Sequence, residues 1–169
     1  MSRILTNVAL CCTRYQYVAN VQTPRYTLNG SYWIYFFNGE PQQDDPTQYL
    51  LASNLIGPIG VLAQQDMNMA KDVLAAYSVP LTRAMTEDVA AGAIPNMEED
   101  TVVPYLRENL IWRIVDSDGN IIDPETVTGF EVVVYSSTAT PPKEFELPSW
   151  SEFIPLVSSF PLTSSTSPV

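Results

Sequence analysis

The sequence predicts a mainly β fold, namely an antiparallel β-sandwich with a small two-helix insertion and an extended carboxy-terminal arm. Hydrophobic residues make up 46% of the 169 residues and charged residues only 16%, which is typical of a globular domain with one core. Short runs rich in β-branched and aromatic residues dominate the chain. A 3.6-residue apolar period is confined to one internal stretch. An α+β arrangement is the alternative.

The first two predicted strands carry many aromatic residues. Residues 4–21 come close to alternation of apolar and polar side chains, and Pro24 ends this stretch. Residues 25–38 contain an almost continuous aromatic run at 32–37. Such a run predicts a strand that is covered on both faces. The sandwich interior would cover one face, and a loop, a helix or a neighbouring subunit would cover the other.

The middle of the chain predicts a loop, a bent segment and two helices. Residues 39–47 have the composition of a surface loop. Residues 49–63 are apolar but contain Gly57, Pro58 and Gly60, so we expect a bent buried segment. Residues 64–94 form the predicted helical insertion, because apolar side chains recur there at spacings of three and four. Its core-facing stripe includes Met67, Val73, Leu74 and Met85.

After an acidic link at 96–100, the composition predicts strands at 101–106, 109–115, 120–122 and 128–136. Asp116, Gly119 and Asn120 are residues that a tight hairpin turn favours. The same segment partly matches a calcium loop. The match fails because the glycine and glutamate that an EF-hand requires are replaced by Ile121 and Val127. We therefore expect a turn.

Residues 1–140 are predicted to form one β-rich domain, and residues 141–169 a proline-rich arm. The prolines prevent a helix, while the aromatic residues make the arm too apolar to remain a free linker. The arm would pack on its own domain or on a neighbouring one, and both alternatives stay open. The residues predicted to make these contacts are Trp150, Phe153, Ile154 and Phe160.

The net charge of −11 argues against nucleic acid as a partner, because nucleic acid is bound through clustered Lys and Arg. Residues 1–39 carry three arginines and no acid, so the rest of the chain carries −14. This partition predicts ion pairs between neighbouring strands or, alternatively, between copies of the chain.

Few residues suggest catalysis. The chain has no histidine, which removes the commonest metal ligand and general base. Cys11 and Cys12 are adjacent on a predicted strand, so they would point to opposite faces and could not easily join each other. The acids at 98–100 read as solvated charge. We therefore expect no enzymatic activity, no cofactor and no metal.

The sequence thus predicts a structural, self-assembling protein, a homo-oligomeric subunit of a shell, tube, fibre or inclusion body, with a virus or phage as one source. The alternative is a lectin-like module that binds carbohydrate or protein through Tyr32, Trp33 and Tyr35. No signal peptide or membrane-inserting segment is evident. We expect a cytoplasmic location or one within an assembled particle.

Overall fold

A computed structural model of the chain describes residues 14–25, 28, 30–63, 73–140, 142 and 147–158. Its strands are β1 (Arg14–Pro24), β2 (Tyr32–Asn38), β3 (Leu55–Val61), β4 (Leu74–Pro80), β5 (Leu110–Val115), β6 (Ile121–Ile122), β7 (Glu131–Thr140), β8 (Ser149–Trp150) and β9 (Ile154–Ser158). Its α-helices are α1 (Thr82–Ala91) and α2 (Glu99–Asn109), and two 3-10 helices span Pro46–Leu51 and Pro124–Thr126.

The strands form two antiparallel sheets. The first sheet has the order β4-β1-β7, and β8 and β9 both pair with the other side of β7. The second sheet has the order β3-β2-β5-β6. The mainly β architecture with a small two-helix insertion is therefore confirmed.

Inward-facing side chains of both sheets form one core, because every second residue of a strand points to the same face. On β1 and β2 these buried positions are Tyr17, Ala19, Val21, Tyr32, Ile34 and Phe36. The Tyr32 hydroxyl donates to the Pro24 carbonyl oxygen at 2.6 Å and shares a 2.6 Å hydrogen bond with Thr23. Its polar end is satisfied inside the core, as a buried tyrosine requires.

The two-helix insertion lies between β4 and β5, later in the chain than predicted. Helix α1 buries Met85 completely, as the apolar period predicted, and ends at Gly92, whose φ of 76° suits a left-handed cap. Residues 64–72, including Met67, lie outside the described residues. Residues 74–80 form β4 and not a helix, because they pair with β1 and bury Ala75 and Val79 at strand spacing.

Residues 101–106 belong to α2, so the predicted strand there is wrong. Val102 and Leu106 lie one helical turn apart and are both buried in the core. Glu99 and Asp100 in the first turn and Arg107 in the last turn also match the helix dipole. The β-branched residues and Pro104 misled the sequence-based assignment.

Residues 49–63, predicted as one bent segment, form the end of the Pro46–Leu51 3-10 helix and then strand β3. Among the described residues, strand β3 pairs with β2 alone and forms an edge of the second sheet. An edge strand tolerates Pro58, because one side of the strand needs no backbone donor. The predicted turn between β5 and β6 is also present, and Gly119 has a φ of 86°.

In that turn, the Asp116 carboxylate accepts hydrogen bonds from the backbone N–H groups of Asp118 and Asn120 and from the Asn120 side chain. These bonds lower the pKa of Asp116, the side-chain bond from Asn120 most of all. The carboxylate oxygens of Asp116 thus stabilise the hairpin turn through hydrogen bonds, as the residue pattern predicted.

The carboxy-terminal arm folds back on its own domain as β8 and β9, which we call the strap (Ser149–Ser158). The Ser151 backbone N–H donates to the Thr138 carbonyl oxygen, and the Ser137 hydroxyl donates to the Ser151 carbonyl oxygen, both at 2.9 Å. Of the two docking alternatives, the described part of the arm adopts the one within its own chain.

No helix within the described ranges is long and apolar enough to cross a membrane. Two ion pairs are present there, Arg83 with Glu87 and Arg113 with Glu40, each through a 2.8 or 2.7 Å contact. Neither involves an arginine of residues 1–39. These two ion pairs therefore do not join residues 1–39 to the acidic remainder of the chain in the way that the charge partition predicted.

Candidate functional site

The acidic residues at 98–100 begin α2, where one of them has a structural role. The Glu99 carboxylate accepts a hydrogen bond from the Ser136 hydroxyl on β7. The Tyr17 hydroxyl donates to the Met97 carbonyl oxygen at 2.6 Å. Burial raises the pKa of Tyr17, and Glu99 adds to the shift, so the phenol stays protonated and donates. These contacts fasten the helical insertion to the first sheet.

The most distinctive surface is the outer face of the second sheet. Trp33, Tyr35 and Phe37 point outward from β2, opposite to its core-facing residues. Their ring centroids follow one another at 6.3 and 6.5 Å. Strand register places Trp33 level with Gly60 on β3 and with Val115 on β5, which in turn is level with Ile121 on β6.

We call Gly60, Trp33, Val115 and Ile121 the Trp33 row. It crosses all four strands of the second sheet without a charged or hydrogen-bonding side chain other than the indole N–H. Since directly paired residues share a face of the sheet, the four positions form one continuous strip. Val115 is buried, whereas Trp33 and Ile121 are 46% and 50% exposed.

The chain covers the neighbouring aromatic residues with its own 3-10 helix, Pro46–Leu51, which we call the cover helix. The Tyr49 ring packs edge-on against Tyr35 and Phe37, at centroid distances of 5.4 and 5.2 Å. This small cluster is separate from the main core. Burial raises the pKa of Tyr49, although the nearby Arg113 opposes the shift. The cover helix leaves Trp33 half exposed.

Gly60 holds the Trp33 ring close to the sheet. A Cβ atom at position 60 would lie 3.2 Å from Cζ3 and 3.3 Å from Cη2 of the indole. Any larger residue would therefore push the ring outward. The glycine determines how flat the indole lies on the sheet, and this packing is invisible to a sequence pattern.

Gly60→Ala is therefore expected to lower the free energy of unfolding by about 1 kcal/mol, as overpacking does. It should also increase the quenching of tryptophan fluorescence by acrylamide, because the Trp33 ring moves into solvent. Gly57→Ala on the same strand is the matched control, since its new Cβ would meet only Val79 Cγ1 at 3.8 Å. Equal melting temperatures and quenching for both variants would contradict the assigned packing.

The structure separates the residues that the sequence grouped as an aromatic binding surface. Tyr32 faces the core and Tyr35 is buried under the cover helix, so neither is available to a ligand. Trp33 alone of the three is open to solvent. In the arm, Trp150, Phe153 and Ile154 are exposed on the strap, and Phe160 and both cysteines lie outside the described residues. Gly60 and Ile121 carry no signal of a site in the sequence, because only strand register brings them beside Trp33.

The outer face of the first sheet has a different character. It carries a shallow groove lined by polar and aromatic residues from β1, β4, β7 and β9, among them Asn20, Gln22, Ser78, Glu131 and Tyr135. Ser78 donates to the Asn20 side chain at 2.8 Å across the two strands. Apolar residues such as Ala76, Val133 and Pro155 also line this groove, so the face mixes polar and apolar side chains.

Comparison with known proteins finds similarity to one part of tyrosinases. Residues 16–134, which are 119 of the 169, match the family model described as the tyrosinase C-terminal domain. A tyrosinase of Neurospora crassa is 27% identical over 143 residues, which cover 80% of this chain and 21% of that protein.

Two mushroom tyrosinase structures share the fold. The recombinant enzyme superimposes with a TM-score of 0.62 at 16% identity, and a crystal containing latent and active enzyme together gives 0.60 at 15%. Each superposition covers 85% of this chain and 25% of the mushroom chain. The chain thus spans about a fifth to a quarter of the length of these relatives.

These matches overturn three expectations. The predicted structural, self-assembling protein and its lectin-like alternative are both wrong, because the family model and the Neurospora relative point to tyrosinases. The expectation of no enzymatic role is also wrong, since the matched family is a domain of tyrosinases, which are enzymes. The absence of histidine misled that inference, because the chain matches only part of its relatives and catalytic groups can lie elsewhere in them.

Proposed function

Because the chain belongs to the tyrosinase C-terminal domain family, we propose that it serves a tyrosinase-type oxidase as its C-terminal domain and holds the enzyme in a latent form. The match of residues 16–134 to the family carries this proposal. The fold shared with a mushroom tyrosinase that exists in latent and active forms supports the latent role.

The composition of the chain suits a domain that keeps an oxidase latent without taking part in the oxidation, which we call a controlling domain. Oxidation by oxygen relies on a metal or an organic cofactor. The chain has no histidine, and no group of three or more Cys, Asp or Glu in the described ranges could hold a metal ion. These residues do not fit a redox centre. The proposal therefore places the oxidation in the part of the enzyme that the chain does not match, which we call the catalytic part.

The fold provides what a controlling domain requires. One continuous core joins both sheets and both helices, so tight packing holds these elements in fixed positions relative to one another. A rigid surface loses little conformational entropy on docking, which favours a stable covered state. Removal of the domain from the catalytic part would then open the access of a phenol to that part. The mechanism requires binding only, with no chemical step on this chain.

A fusion protein tests the proposal. Residues 1–169 replace the matched segment of the Neurospora crassa tyrosinase, behind a linker that a specific protease cleaves. Tethering keeps the local concentration in the millimolar range, which compensates for imperfect complementarity. Oxygen uptake with tyrosine is expected to be about tenfold lower in the intact fusion than after cleavage and removal of the chain.

The control is a fusion that carries an unrelated domain of similar size behind the same linker. Cleavage should leave its oxygen uptake unchanged, which excludes an effect of the linker or the protease. An intact fusion with this chain that is as active as its cleaved form would contradict the proposed function.

A further inference from the structure

We propose that the Trp33 row is the surface through which this chain contacts the catalytic part of a tyrosinase. The inference rests on the proposed function and specifies its contact. The proposed contact lies on the outer face of the second sheet and has Trp33 as its central side chain.

Trp33 is held in place before any partner arrives. It lies on a strand with neighbours on both sides, its ring follows that of Tyr35 at 6.3 Å, and Gly60 allows the indole to lie close to the sheet. A side chain that is already fixed loses little rotamer entropy on binding. Tryptophan is one of the residue types that are enriched among the side chains contributing most to binding at protein interfaces.

The chain covers only part of its aromatic face. Tyr49 of the cover helix packs on Tyr35 and Phe37, whereas Trp33 and Ile121 stay about half exposed. The cover helix itself presents Leu50 and Leu51, which are 58% and 80% exposed. Apolar side chains are therefore exposed both in the row and on the cover helix. Exposed apolar surface of this kind is typical of a contact with another protein.

The two outer faces of the sandwich differ, and this difference selects the side that docks. The first sheet presents Asn20, Gln22, Ser78 and Glu131 among apolar residues such as Val133 and Pro155. The second sheet presents the uncharged Trp33 row. Burying the first face would require partners for many polar groups, whereas burying the row mainly removes apolar area from water.

The catalytic part fits as the occupant better than a second copy. The relatives contain about three quarters of their length beyond the segment that this chain matches, so a large partner surface accompanies this domain. Two copies of the chain would each bring a net charge of −11, and their repulsion opposes self-association.

The test uses the cleavable fusion with Trp33→Ala. Truncating a central tryptophan weakens docking, so oxygen uptake of the intact variant is expected to rise about tenfold toward that of the cleaved enzyme. Trp150→Ala is the matched control, because this tryptophan is 57% exposed on the strap of the other sheet. The Trp150 variant should stay as latent as the unmodified fusion.

A second variant tests the same surface independently, in case Trp33→Ala does not fold. Ile121→Asp places a charge in the row at an exposed position of β6, outside the main core, and should also raise oxygen uptake. The melting temperature of each variant shows whether the domain remains folded.

The outcomes separate the two proposals. If the unmodified fusion is latent and both row variants stay latent while folded, the inference is overturned and the proposed function stands. If the unmodified fusion is fully active before cleavage, the proposed function itself fails. If light scattering shows that Trp33→Ala converts a dimer of the isolated chain into a monomer, the occupant is a second copy and the inference is likewise overturned.

Discussion

Removal of residues 149–169 is expected to lower the free energy of unfolding by about 3 kcal/mol or more and to cause aggregation. The deletion takes away both strap strands, which pair with β7, and Leu156, which packs against the main core. Burial of a leucine contributes about 2 kcal/mol, and each lost backbone hydrogen bond about 1 kcal/mol. The exposed edge of β7 then becomes available for pairing with another chain.

Urea denaturation and light scattering measure the two effects. A shorter truncation that ends at Ser158 keeps β8 and β9 and is the matched control. A long truncation that melts and scatters light like this control would show that the strap contributes nothing to the domain.

Met85→Ala is expected to lower the free energy of unfolding by about 2–5 kcal/mol, because the side chain is fully buried on the core-facing side of α1. In a domain of this size, such a loss lowers the melting temperature by about 10 °C. Leu74→Ala is the control within the same predicted stripe. Leu74 lies on β4 and is 50% exposed, so its removal should have a much smaller effect.

Thermal unfolding followed by circular dichroism compares the two variants. Equal losses of stability would mean that residues 74 and 85 lie in equivalent environments, as one helical stripe requires. The register of β4 against β1 predicts unequal losses.

Local sequence chemistry determined several elements without help from the rest of the chain. Gly92 ends α1 in a left-handed conformation, and Gly119 with Asp116 shapes the turn between β5 and β6. These features depend on backbone conformation and on hydrogen bonds over a few residues, so residue type is sufficient to predict them. The mainly β class followed in the same way from strand-forming runs.

Other elements depended on what they pack against. Leu74 and Tyr77 suit a helical period as well as a strand, and pairing with β1 decided for the strand. The β-branched residues and proline of 101–106 favour a strand locally, yet burial of Val102 and Leu106 on one helical face decided for α2. Short apolar segments are ambiguous in this way because tertiary burial outweighs intrinsic propensity.

The function was beyond the sequence patterns for a related reason. The chain carries no catalytic motif, and its family became evident only by comparison with longer tyrosinases.

By itself, the sequence determined that this protein is acidic and forms mostly strands, and it predicted that residues 32–37 need cover on both faces. Only the tertiary structure decided that the cover helix supplies this cover for Tyr35 and Phe37 but leaves Trp33 open. It also decided that Gly60, Val115 and Ile121 lie beside that tryptophan. The physical reason is that register between strands joins residues that are distant along the chain, and alternation within one strand carries no information about its neighbours.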